Sequence, residues 1–382
     1  MLTCIHKDKP KLYQIMEKLP KFVLNNRYSG MDTQRSILMF EKGCRSDYTR
    51  NMYRVRLNWF LEHFHIKDFD SLCTIEIPKL KEMIEDYVLF RSGKGLAFST
   101  INNDLSALQH FFVMNGIEVP MKIARKLMPE VKKIRNDKPY TTELLQQALK
   151  CLEGYDYLKA VVHFLCATGA RGGLTEHLKI KHIGEFEKDG CKSVLIYADT
   201  KDEYYTFIHD ECIEALDYWF EVRKQKGELL TKDSWVFPQP RNTKLPLHES
   251  DIDSRLQKKL KPLDRGELIN RRYDIAITYG MRKRWNLIAK QTQGVNSHFV
   301  EKMFAHNSRT HALDTTYLKP RIEQLFAEYK KFYSELYISK EYRLKIELRK
   351  KDKMIDENQV VNYEARIAEL ENIIKEKFGF TN

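Results

Sequence analysis

Arg171, Lys201, Tyr279, Arg282, His306 and Tyr317 are the side chains whose types and order could carry a reaction in this sequence. Arg171 closes the run Thr168-Gly169-Ala170-Arg171, and Arg282 lies within Tyr279-Gly280-Met281-Arg282-Lys283-Arg284-Trp285. His306 follows Phe304-Ala305, and Tyr317 ends Leu313-Asp314-Thr315-Thr316-Tyr317. Two guanidiniums, an imidazole and a phenol are what a metal-free attack on a phosphodiester needs. In-line attack passes through a five-coordinate phosphorus whose non-bridging oxygens gain negative charge, so something positive must be fixed against them. Metal enzymes use carboxylate-held cations there, but no aspartate/glutamate cluster with ligand spacing stands out in this sequence. An arginine can serve instead, because its fork gives a phosphate two parallel charge-assisted bonds. A tyrosine hydroxyl, with a pKa of about 10, attacks poorly at neutral pH. It becomes a nucleophile when cationic surroundings stabilise the phenolate and a base takes its proton. The departing 5′ oxygen needs a proton, which a mobile lysine such as Lys201 can supply.

Each signal is weak alone. An isolated Thr-Gly-x-Arg is ordinarily a helix stop with a surface arginine. Lys201 alone is a turn residue, His306 alone a structural histidine, and Tyr317 is one of 20 tyrosines. The elements around them carry the argument further. Leu158, Val161, Val162, Phe164 and Leu165 predict a helix over 156–167, buried on most of one side. It follows a helix over 142–153 with Thr141-Thr142 as cap. Gly169 can take the left-handed turn that ends such a helix. Gly172-Gly173 then interrupts, and a short helix is expected from Thr175 through Leu178 and Ile180.

The only convincing β signal comes next. Ser193 to Tyr197 and Tyr204 to Ile208 read as two strands of a hairpin, with Lys201 at its tip. Helices are expected again over 211–224, 249–262, 274–292 and 298–304, with a Pro- and Asn-rich loop from Phe237 to Leu247. From Pro320 the chain is charged and helical. Val360, Tyr363, Ile367, Leu370 and Ile374 space out a short heptad seam, which fits either a contact with another subunit or a helix packed on its own domain.

Upstream, Tyr53, Leu57, Phe60, Leu61 and Phe64 form one helix face, capped by Ser46 or Asp47, with Arg50, Arg54 and Arg56 on the other face. Further helices are expected over 77–90, from Ser99 to about Asn115, and over 121–131. Short helices with short connections make a compact bundle. Its basic residues on successive elements read as a phosphate-facing surface, with a solvated face as the plainer alternative. Asn136-Asp137-Lys138-Pro139-Tyr140 breaks the pattern and marks the boundary. The expected division is an N-terminal arm or lead-in at 1–38, a helical domain at 39–134, a linker at 135–141, a second domain at 142–330 and a charged helical tail at 331–382.

The bulk properties narrow the partner. The 65 Lys plus Arg against 53 Asp plus Glu leave a net charge of +12, which suits a polyanion. The 7 cysteines form no Cys-x-x-Cys pair and are odd in number, which argues against a disulfide framework or a zinc site and for a reducing interior. No apolar run approaches a membrane span, and charges begin early at His6-Lys7-Asp8-Lys9, against a signal peptide. The expectation is a cytoplasmic, nucleoid-associated protein with no membrane contact and DNA as its polyanion.

In order and spacing these residues resemble a tyrosine recombinase of the phage-integrase family, with a flavour similar to archaeal members. The resemblance covers roughly 45 to 320. Thr168-Gly169-Ala170-Arg171 resembles the box around the family's first arginine, and Lys201 falls where the family keeps its hairpin lysine. Tyr279-Gly280-Met281-Arg282-Lys283 resembles the His-x-Leu-Arg box, so Arg282 takes the second arginine's role. Met303-Phe304-Ala305-His306 resembles the Leu-Gly-His box, and Tyr317 takes the nucleophile's place 11 residues on. The sequence departs from the pattern at Tyr279, where the family has histidine. It departs again at Leu174, where the first box often has glutamate and where Glu176 is a possible substitute. The Gly172-Gly173 pair is unusual there, and Ala305 replaces a glycine.

The resemblance implies a mainly α fold: a helical SAM-like core-binding bundle and a mixed catalytic domain, mostly α with a small antiparallel β-sheet, closing on double-stranded DNA as a clamp. It implies cleavage and rejoining of DNA through a 3′-phosphotyrosyl link, without cofactor, metal or ATP, by a homo-tetramer on two DNA sites. Two rivals share the expectation: a type IB topoisomerase-like nicking-closing enzyme, and a DNA-binding protein with impaired catalysis.

Overall fold

In the computed structural model, the described residues are 34–131, 138–268, 272–305, 320–345, 347–348, 351 and 366–367. They fall into two compact units, Met1–Lys133 and Ile134–Asn382. The chain is mostly helical with a small antiparallel sheet.

The first unit is a helical bundle: α1 (Arg35–Gly43), α2 (Asp47–Phe64), α3 (Phe69–Cys73), α4 (Ile77–Gly93), α5 (Phe98–Met114) and α6 (Lys122–Lys126). Ser46 caps α2 by accepting from the Thr49 N–H, and Asp68 caps α3 by accepting from Ser71, each satisfying an amide the first turn leaves open. The apolar stripe of α2 buries Leu57, Phe60 and Leu61 against Ile101, Leu105, Leu108 and Phe112 of α5 and Tyr87 of α4. The helix expected over 121–131 stops at Lys126. Pro129 explains this, because a proline pushes the residue before it out of the α region.

The basic face expected on α2 needs correction. Arg56 is buried, and its guanidinium donates to Asp104 of α5, whose other oxygen accepts from Arg91 Nε at 2.9 Å. The Arg91 guanidinium also lies 5.1 Å from the Trp59 ring centroid. Arg54 pairs with Glu41 at 3.0 Å and Arg50 with Asp47 at 2.8 Å. Those two exposed pairs are weak and easily surrendered to a phosphate. Arg56 is structural. Breaking a buried ion pair from one side strands charge out of water, which costs about 3–5 kcal/mol. Asp104→Ala would strand two guanidiniums, so urea unfolding should show a destabilisation on that scale; a loss below about 1 kcal/mol would mean the triad contributes little.

The second unit is built on α8 (Asp156–Thr168), whose Leu158, Val161, Val162, Phe164 and Leu165 are buried. It follows α7 (Thr142–Cys151), capped by Thr141. A 3-10 turn, Gly172–Glu176, replaces the helix expected from Thr175. The sheet has strands β1 (Ile183–Lys188), β2 (Cys191–Ile196) and β3 (Tyr204–Ile208) in that order, all antiparallel. β2 and β3 are the expected hairpin, in a register that pairs Val194 with Thr206 and Ile196 with Tyr204. β1 adds a strand the alternation did not reveal. Its register shifts between Ile183 and Glu187, and Gly184 sits there at φ 91°, so a bulge breaks the period of two.

Beyond the sheet come α9 (Asp210–Gln225), a short ribbon of β4 (Pro238–Gln239) with β5 (Asn242–Pro246) inside the expected loop, α10 (Glu249–Lys259), α11 (Ile277–Gln291), α12 (Ser297–Met303) and α13 (Ile322–Tyr329). Phe332, Leu336, Tyr337 and Ile338, which the sequence assigns to a charged tail, are buried in this unit. Arg284 donates to the Leu336 and Glu335 carbonyls, and the Glu211 carboxylate accepts from the Ile338 and Ser339 amides. Apart from Ile367, the heptad seam lies outside the described residues. Among the described residues no helix is long and apolar enough to cross a membrane.

Candidate active site

The site begins where α8 ends. Gly169 takes φ 63°, and a Cβ there would stand 2.7 Å from the Trp285 ring of α11, so only glycine lets the indole in. Trp285 Nε1 donates to the Ala167 carbonyl at 3.0 Å, locking α11 to the end of α8. Arg282 lies one turn before Trp285 and so shares its face. Arg282 is 3% exposed, and its guanidinium donates to the Gly169 carbonyl at 2.7 Å and the Phe304 carbonyl at 2.6 Å. It also sits 3.4 Å from the Phe304 ring centroid, and that ring stacks on Trp285 at 5.4 Å. Burial pulls the Arg282 pKa below the usual guanidinium value; Tyr204 opposes that pull and the Arg171 charge adds to it. An arginine has five N–H donors and remains a cation under such a shift.

Arg171 follows in extended conformation, at the entry to the 3-10 turn, and is exposed. Its Nη2 donates to the Ala305 carbonyl at 3.4 Å. The two arginines, distant in sequence, thus bond to the carbonyls of consecutive residues, 304 and 305. Two phenols flanking the turn of the β2–β3 hairpin complete the setting. Tyr197 follows β2 with φ 55°, a left-handed conformation uncommon outside glycine. Its phenol is raised in pKa by burial, against the pull of Arg171. Tyr204 starts β3, and burial pushes its phenol up to about 12, against the pull of Arg282.

Of the six residues the sequence singles out, Arg171 and Arg282 are brought together. Lys201 occupies the exposed turn between β2 and β3. Tyr279 is on α11 one turn before Arg282, 56% exposed, with Lys283 Nζ 5.4 Å from its ring centroid. His306 and Tyr317 lie outside the described residues. Leu174 is buried in the core, and Glu176 is turned to α10, where it accepts from the Glu249 N–H and faces His248 Nδ1 at 3.4 Å. The sequence reading missed Tyr197, Tyr204 and Trp285. The one local sign of crowding was Gly169 itself, ahead of an arginine. Among the described residues no group of three or more His, Cys, Asp or Glu is placed to hold a metal ion.

No protein-family model matches the sequence, and no curated protein matches it. Solved structures do match in fold. The Tn1549 transposon integrase in complex with circular intermediate DNA is 18% identical, covers 77% of this chain and 98% of its own, and superposes with a TM-score of 0.52. A lambda integrase dimer bound to a COC′ core site is 14% identical, covers 75% and 96%, and gives a TM-score of 0.50. The mostly helical architecture with its small antiparallel sheet is a fold shared with these two integrases.

Proposed function

We propose that this chain is a site-specific DNA recombinase that works through a tyrosyl–DNA link. The observation that carries the reading is the convergence of Arg171 and Arg282 on the carbonyls of residues 305 and 304, directly ahead of His306. Two guanidiniums so placed can hold the non-bridging oxygens of one phosphate, the charge that builds up in the transition state. In this reading Tyr317 attacks the scissile phosphorus. The bond from its oxygen to phosphorus forms and the bond to the 5′ oxygen breaks. The phenol proton leaves to a base, and Lys201 protonates the leaving oxygen. A 5′ hydroxyl of a partner strand then reverses the step, so the bond energy is kept and neither ATP nor a metal is called for. Strand exchange between two duplexes implies a homo-tetramer on two DNA sites and a DNA-associated location.

The fold likeness to two integrases supports this reading, and so does the net charge of +12. Incubation with a nicked suicide duplex should yield a covalent protein–DNA adduct. No adduct on any candidate site would favour an impaired, DNA-binding protein, a reading that Tyr279 in place of histidine motivates. Relaxation of supercoiled plasmid without two-site recombinants would favour a nicking-closing enzyme. Affinity should also fall steeply with salt. A protein making about 6–10 phosphate contacts loses about 10³–10⁵ in affinity between about 50 and 200 mM salt, through counterion release. A flat response in an anisotropy titration would remove phosphate contacts from the account.

A further inference from the structure

Resting on that reading, we infer that Glu249 is a positioning residue for Arg171, and that Gly172 and Gly173 are glycines so that its carboxylate can lie against the turn that follows this arginine. Glu249 is the first residue of α10, a helix pinned to that turn at two points. Its N–H donates to Glu176 Oε1 at 3.2 Å, and Thr175 Oγ1 donates to the Leu247 carbonyl at 2.7 Å. So placed, the side chain of Glu249 fills the space that side chains at 172 and 173 would need. A Cβ at Gly172 would stand 2.9 Å from its Oε1 and 3.0 Å from its Cγ, and one at Gly173 would stand 3.2 Å from its Oε2. The Tyr197 hydroxyl, at 3.6 Å from the same Gly173 position, closes the other side.

The surrounding carboxylates are already engaged. Asp253 accepts from Thr278 Oγ1 at 2.9 Å, and Glu176 faces His248. The carboxylate of Glu249 accepts no hydrogen bond from the described residues; burial, with the charges of Asp253 and Glu176, raises its pKa, and the Arg171 charge is the one that works against that rise. Arg171 in turn is exposed and, among the described residues, held by one long bond of 3.4 Å. A fixed carboxylate beside it limits where the guanidinium can go and offsets its repulsion with Arg282 before a phosphate arrives. That is preorganisation of a charge-stabilising group.

The test is single-turnover adduct formation on the suicide duplex by the full chain, with DNA affinity and thermal melting measured alongside. Glu249→Gln keeps the shape and removes the charge. The expected result is an adduct rate about 10- to 100-fold lower, the scale of a misplaced catalytic group, with affinity and melting temperature close to wild type. Glu249→Asp, which keeps the charge, should recover part of the rate. Gly172→Ala should slow the reaction by displacing the carboxylate, and should cost little more when added to Glu249→Ala, because the clash is then gone. A wild-type rate for Glu249→Gln overturns the inference and leaves the proposed function standing. No adduct from the wild-type protein overturns both.

Discussion

Arg282→Ala is expected to slow covalent adduct formation by about 10²–10³-fold, the range for loss of one fixed donor at a developing oxyanion. Two of the Arg282 donors are spent on the Gly169 and Phe304 carbonyls, which fix the plane of the guanidinium, and Tyr204 also lies against it; the N–H groups that remain are those a phosphate would meet. Its burial excludes competing water, so each remaining bond acts in a medium where charge is poorly screened. Arg282→Lys should recover little of the rate. An ammonium is a point charge on a flexible stem and does not reproduce the planar fork that bridges the ends of α8 and α12. Affinity for duplex DNA should change only a few-fold, because many phosphates share the binding energy. A single-turnover rate within about tenfold of wild type would show that this guanidinium does not face the reacting phosphorus.

Tyr317→Phe should abolish the adduct altogether while DNA affinity is kept, because the change deletes only the attacking oxygen. An adduct that survives would need another phenol. Tyr204 is a poor candidate: burial holds its pKa up at about 12, so its phenolate is scarce at neutral pH. Tyr197 is raised in the same direction by burial. Tyr279 is the better alternative, being 56% exposed and one helical turn from Arg282. Peptide mapping of the adduct separates the two, and a DNA-linked peptide containing Tyr279 would overturn the assignment of Tyr317.

The helices of the first unit were legible because a stripe with a period near 3.6 residues has one solution, burial of that stripe. What went unread there was the fate of the polar face. Arg56 looks like its neighbours Arg50 and Arg54 along α2, and only the arrival of Asp104 from α5 makes it an internal ion-pair member. The third strand of the sheet was hidden for a different reason. With Gly184 at a positive φ and a bulge beside it, the segment 183–188 loses the alternation by which a strand is recognised.

The sequence by itself determined the helical stripes and their caps, the β2–β3 hairpin, the mainly α class and the order in which the arginines appear. Tertiary structure alone decided which arginine lies at the end of α8 near Arg171 and which is held in the core. Arg282 and Arg284 are two residues apart on α11 and therefore point to different sides of the helix. One guanidinium bonds at the carbonyls of Gly169 and Phe304; the other holds the carbonyls of Glu335 and Leu336 in the core. Nothing local distinguishes them, because a guanidinium takes its role from whatever acceptors the folded chain brings within about 3 Å of it, and those come from far along the sequence.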